Sequence, residues 1–263
     1  MKVNNVLPCV TIISETKINP QSLDGFMKKV GISKEWNEEH HKRNLNSNLS
    51  DLEKLPEALH SLRNPIPEGS TADFNKTVPR DLLKSIHISI GVNYISKDFI
   101  FEINQLSNFK ITTSDINHDD LCFWVNPCIM DDDKAAIYYG TVIAEASKRV
   151  SELGEYIKTN EQATDIEKKK AIDRLMPMAT QIDCIISGSL YDFQKAIYEG
   201  TDYNKLDEMR FVLIELTRKL KLKYNSLFYN FVLVDAEDNE FGLDTINSES
   251  NGWRNYKIKI RGV

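Results

Sequence analysis

The chain has 263 residues, with 33 basic and 39 acidic side chains and a formal net charge of -6. That length holds one large core or a core with a small appendage, and the acidic balance excludes a global cationic field able to hold a nucleic-acid polymer by counterion release. No window approaches the roughly eighteen uninterrupted apolar residues of a spanning helix, the opening MKVNNVLPCVTII is too short an apolar run for a signal peptide, and Cys9, Cys122, Cys128 and Cys184 lack CxxC spacing. Reduced thiols in a cytoplasmic protein without a membrane span are expected.

Residues 8–14, PCVTIIS, are a β-branched run bounded by Pro8, which predicts a short buried strand. NPQSLDGFMKKVG predicts a short helix with Ser22 as N-cap and Gly31 as its stop. Residues 32–75 are rich in charge and Asn, carry one amphipathic patch (Leu52, Leu55, Leu59, Leu62) and end in Pro and Gly, the composition of an insertion around one helix. Further on, Ile86, Ile88 and Ile90 alternate with His87 and Ser89, the period of a half-buried strand. A helix from about Ser96 to Leu106 follows, with Phe99, Ile100 and Ile103 on one face.

The next stretch, Gln105 to His118, reads QLSNFKITTSDINH and is polar throughout its connection to LCFWVNPCIM. A long helix is expected over 134–160, from apolar residues at helical spacing such as Tyr138, Val142, Ala146, Val150 and Ile157, and another over 163–176. MATQIDCIISGSLYDFQKAIYEG is expected to add one or two short helices, and 203–223 a strongly amphipathic one through Met209, Val212, Leu213, Leu216 and Leu220. FVLVDAEDNEFGL and NYKIKIRGV suggest an appended pair of strands. The fold class is α+β, mostly helical with a small sheet. Its domain plan is one α+β unit over 1–225, with the charged insertion at about 32–75, followed by C-terminal strands over 226–263.

Isolated clusters carry little chemistry. His40 and His41 are adjacent, so on a helix they point about 100° apart, and a solvated charged helix outweighs a metal site. The run DDDK at 131–134 has the carboxylates for a hard cation, but a helix start whose dipole they complement is the better account. His87, among isoleucines, suits a structural role better than a catalytic one. Neither GxxxxGK nor GxGxxG occurs.

The order of the pieces is more informative. CVTIISETKINPQSLDGFM, LLKSIHISIGVNYISKDFIFEI, DDLCFWVNPCIM, a long helix, AIDRLMPMATQIDCIISGSLYDFQKAI and LDEMRFVLIELTRKL together resemble the flavin-dependent thymidylate synthases. Ser96-Lys97 matches the family's S-R, Pro127 its central proline, Leu175-Met176-Pro177 its leucine-proline end, Ser187-Gly188-Ser189 its T-x-N, and Glu208-Met209-Arg210 its E-I-R. The resemblance covers roughly 8–25 and 80–225. Within it the signature RHRx7S is missing: RHR falls on Gln105-Leu106-Ser107, and the signature serine on Asp115. Further family arginines fall on Tyr191, near Gly200, and on Asp173, where Arg174 substitutes if the register shifts by one.

The resemblance implies FAD as cofactor, a pyrimidine deoxynucleotide as ligand and a homo-oligomer, in the family a tetramer, or assembly with a paralogous subunit. The family transfers a one-carbon unit to carbon 5 of deoxyuridylate. Gln, Leu and Ser cannot supply the charge that a dianionic phosphate needs in a closed site, so that transfer is expected to be altered or lost. Carried over by position, Lys97, Gln105, Ser107, Ser189 and Lys195 are the expected cofactor-binding residues. Ser114, Asp115, His118, Arg174 and Arg210 are the expected substrate-binding residues. No catalytic residue and no metal ligand is assigned. The alternative from another class is a non-catalytic partner that keeps only the assembling helices. A third reading, placed below the other two, is an unaltered synthase whose arginines come from elsewhere, such as Arg43, Arg63 or Arg80 in the unmatched arm.

Overall fold

The protein is seen as a computed structural model that describes residues 7–16, 80–116, 121–223, 228, 231–245 and 251–261. The expected helix at 19–31, the 32–75 insertion with His40 and His41, and His118 lie outside the described residues. The fold is α+β, and among the described residues no helix is long and apolar enough to cross a membrane.

The larger sheet has four antiparallel strands: β1 (Cys9–Glu15), β2 (His87–Ser96), β3 (Lys110–Thr113) and β4 (Gln181–Ser189), in the spatial order β1-β2-β4-β3. In β2 the alternating isoleucines do what their period predicts: Ile88, Ile90 and Val92 are buried on one face. A bulge between Val92 and Ile95 then shifts the register, with Tyr94 at φ 60° and its N–H donating to Asp183 Oδ1 at 2.9 Å. β1 differs from expectation. It is an edge strand with Val10 buried and Cys9, Thr11 and Ser14 exposed.

β4 is a larger correction, since one or two short helices and no strand were expected in this segment. Residues 181–189 are instead a central strand, paired with β2 and β3, and only 190–200 are helical. A short apolar run such as IDCIIS has no periodicity that separates strand from helix, and its isoleucines favour the strand once two neighbours exist to pair with it.

Each central strand passes directly into a helix through a serine. Ser96 caps α2 (Lys97–Leu106) and Ser189 caps α6 (Leu190–Gly200). Ahead of β2 lies α1 (Arg80–Ser85). Between β3 and β4 come α3 (Pro127–Met130), α4 (Asp133–Lys158) and α5 (Asp165–Leu175). Asp132 is the N-cap of α4, accepting from the amides of Lys134 and Ala135, so the DDDK run does start a helix. α4 spans its expected length, but Ile143, Ser147 and Gly154 are its buried residues and much of its apolar set faces outward.

α7 (Asp207–Lys223) starts a few residues later than its pattern suggested, because 202–205 form a turn closed by Lys205 N–H on Asp202 O. It is buried over most of its length. The C-terminal strands are β5 (Phe231–Val234), the two-residue β6 (Glu240–Phe241) and β7 (Lys257–Ile260), paired in the order β6-β5-β7 with a 3-10 turn at Asn251–Asn255 before β7. Phe231, Leu233, Trp253 and Ile258 belong to the same hydrophobic cluster as Ile90, Phe99, Ile197 and Leu213. One core therefore runs from the larger sheet through α2, α6 and α7 to the C-terminal strands.

Candidate functional site

The start of α6 organises a polar cleft. Ser189 and Asp192 form a capping box: Ser189 Oγ accepts from Asp192 N–H at 3.1 Å, and Asp192 Oδ2 accepts from Ser189 N–H at 3.1 Å. The other oxygen of Asp192 accepts from Ser107 Oγ at 2.6 Å, which ties the end of α2 to the start of α6. Burial alone would raise the Asp192 carboxyl, but these hydrogen bonds and the nearby His87 hold it below its ordinary range. Nearby the Phe109 ring lies over Gly188, where an added Cβ would come within 2.6 Å of the ring, and packs tilted against Phe193 with centroids 4.8 Å apart. Gly188 thus lets the 107–109 turn close down on β4.

Ser107, Ser189 and Asp192 line a cleft of about 520 Å³, within the size range of small-ligand sites. One wall carries two ammonium groups and an imidazole: Lys84 from the last turn of α1, Lys195 from α6, and His87 from the start of β2. Lys84 Nζ stands 5.5 Å from the centre of the Tyr191 ring, and Lys195 is held loosely by Glu199 at 4.0 Å. The facing wall carries the amides of Asn104, Gln105 and Asn108 around Ser107. Two ammonium groups and an imidazole face one carboxylate whose oxygens are already engaged. The cleft is suited to an anionic ligand with hydrogen-bonding groups at its other end.

Of the residues expected to bind a cofactor, Gln105, Ser107, Ser189 and Lys195 all line this cleft. Lys97 does not. Its Nζ donates to the carbonyls of Asp173 and Met176 at 2.8 and 3.1 Å, closing the C-terminal end of α5, and burial lowers its pKa despite Asp173 and Asp98. The expected substrate residues are dispersed. Ser114 Oγ accepts from Asp183 N–H at 3.0 Å, extending the β3–β4 ladder, and Asp115 pairs with Lys169 at 2.6 Å. Arg174 is exposed in the last turn of α5.

Arg210 is buried far from solvent, with NH2 donating to the carbonyls of Arg254 and Tyr256 at 2.7 and 3.0 Å and NH1 to Asp207 at 3.3 Å. Its guanidinium also lies 5.0 Å from the Tyr203 ring. It fastens the C-terminal strands to α7. Its neighbour Glu208 is buried too, accepting from Ser96 N–H at 2.6 Å and Ser96 Oγ at 2.5 Å, and burial pushes its carboxyl up to about 7. Lys97, Arg174 and Arg210 therefore do not converge on one cavity.

Sequence reasoning missed Lys84, Asn104 and Asn108, and treated His87 as structural although it is exposed at the cleft. Their signal was proximity across the β2–β4 pairing, where His87 faces Ser189, and no local motif carries that. Among the described residues no group of three or more His, Cys, Asp or Glu side chains could hold a metal ion, and all four cysteines are free thiols. No family model and no curated protein matches this chain.

Proposed function

We propose that this protein is a divergent homologue of the flavin-dependent thymidylate synthases that keeps a site for a phosphate ester, a pyrimidine deoxynucleotide or the phosphate-bearing part of FAD, while one-carbon transfer to deoxyuridylate is altered or lost. One observation carries this reading. Four positions expected from the resemblance, Gln105, Ser107, Ser189 and Lys195, share one cleft, to which Lys84 adds a second ammonium group and His87 an imidazole. Ammonium groups bind phosphate as point charges without the forked geometry of Arg, which suits binding better than the tight orientation a transfer reaction needs. FAD, when bound, supplies redox chemistry; the residues of this chain supply the anion contacts and the amide wall.

The test is to record the visible absorbance of the purified protein, then titrate FAD with and without deoxyuridylate. Binding of either, weakened about tenfold by Lys84→Ala or Lys195→Ala, is the expected result. A colourless protein indifferent to both ligands would overturn the reading. The second reading, an assembly partner, is favoured by the apolar outward face of α4, where Tyr138, Val142, Leu153 and Tyr156 are exposed.

A further inference from the structure

The outward face of α4 has a pattern that reads the same from both ends. At 100° per residue, Tyr138, Val142, Glu145, Arg149, Leu153 and Tyr156 fall within a stripe about 80° wide, opposite the buried Ile143, Ser147 and Gly154. Tyr138 and Tyr156 are 74% and 77% exposed, Val142 and Leu153 47% and 43%. Between them Arg149 lies 3.8 Å from both Glu145 and Glu152 on the helix surface. Tyrosines stand at the ends, aliphatic residues inside them, and an acid and a base at the centre. Such a sequence is complementary to itself when reversed.

From this palindrome we infer that α4 is a self-association surface, on which a second copy of the chain packs its own α4 antiparallel about a twofold axis at Ser147. That symmetry sets each Tyr138 opposite Tyr156 of the other copy, Val142 beside Leu153, and Glu145 opposite Arg149. A parallel arrangement would oppose Glu145 to Glu145 and Arg149 to Arg149, and like charges in register are repelled. Each Arg149 then lies between its own Glu152 and the other copy's Glu145. A helix of 26 residues is about 39 Å long, so one helix pair gives an interface at the small end of the specific range and a concentration-dependent dimer. The inference rests on the assembly reading above and names its occupant, symmetry and register; it does not depend on what the cleft binds.

The test is sedimentation velocity on the full chain over a wide concentration range, with far-UV circular dichroism to show that each variant is folded. Glu145→Arg alone and Arg149→Glu alone should each weaken the dimer about tenfold or more, since each places like charges opposite twice. The double swap, E145R with R149E, should restore it, and Tyr138→Ser with Tyr156→Ser should weaken it without touching charge. A wild-type protein that stays monomeric at every concentration overturns the inference, while assembly with a different subunit stands. A wild-type oligomer that the single swaps leave unchanged overturns the α4 surface while assembly stands. Single swaps that weaken the dimer without rescue by the double swap overturn the antiparallel register.

Discussion

Glu208 makes stability depend on pH in an unusual direction for a carboxylate. Its carboxyl ionises near 4.5 in water and at about 7 in the fold, because loss of solvent outweighs the two hydrogen bonds from Ser96. Between those values the folded state keeps a proton that the unfolded state has lost. The stabilisation is therefore complete below pH 4.5 and is lost as pH rises through 7. The unfolding free energy from urea titrations should fall between pH 5 and pH 8 by an amount on the order of 3 kcal/mol at most, and Glu208→Gln should flatten that dependence. Arg210 makes a different prediction. Arg210→Ala strands the carbonyls of Arg254 and Tyr256 and the Asp207 carboxylate, so a loss of about 3–5 kcal/mol is expected in chemical denaturation, with hydrogen exchange rising most around β7.

Among the elements, α6 is where stability and the cleft meet. Its capping box uses Ser189 for the helix and Asp192 for both the helix and Ser107. Ser189→Ala should cost about 1–2 kcal/mol, and combining it with Ser107→Ala should cost less than the sum, because both hydroxyls serve the same carboxylate. A denaturation double-mutant cycle measures that coupling. The same capping box occupies two of the amides at the start of α6. Side-chain oxygens already satisfy the Asp192 amide and the Ser189 amide, and the side chains of Lys84, His87 and Lys195 line the cleft beside them. α4 shows the converse: a helix whose length follows from its pattern, yet whose apolar positions are divided between a buried face and an outward one.

For the molecule as a whole, the shared core predicts that the C-terminal strands and the larger sheet unfold together. Trp253 is fully buried and packs edge-on to Phe211 of α7 at 5.5 Å, in the cluster that also contains Phe99 and Leu213. Trp253→Ala should cost about 3–5 kcal/mol and move one transition, read identically by near-UV and far-UV signals. Two separated transitions would show that the C-terminal strands are independent. Trp253→Phe should be far milder, since its Nε1 has no partner among the described residues and phenylalanine removes that buried donor.

Local periodicity and capping chemistry were legible without any tertiary information. The alternation of Ile86, Ile88 and Ile90, the helix after Ser96, the long α4 and its Asp132 start all follow from interactions within a few residues, and the structure has them. The 181–189 strand was not legible, because an isoleucine run becomes a strand only when β2 and β3 lie on either side of it. The same holds for the site: Gln105, Ser107, Ser189 and Lys195 could be named by position, but Lys84 and His87 join them only through the β2–β4 register. Lys97 and Arg210 looked like ligand-binding cations until the fold showed their hydrogen bonds spent on backbone carbonyls. Short-range order is written in the chain by backbone and side-chain preferences; which charges face solvent, ligand or core is decided by long-range pairing that no local pattern encodes.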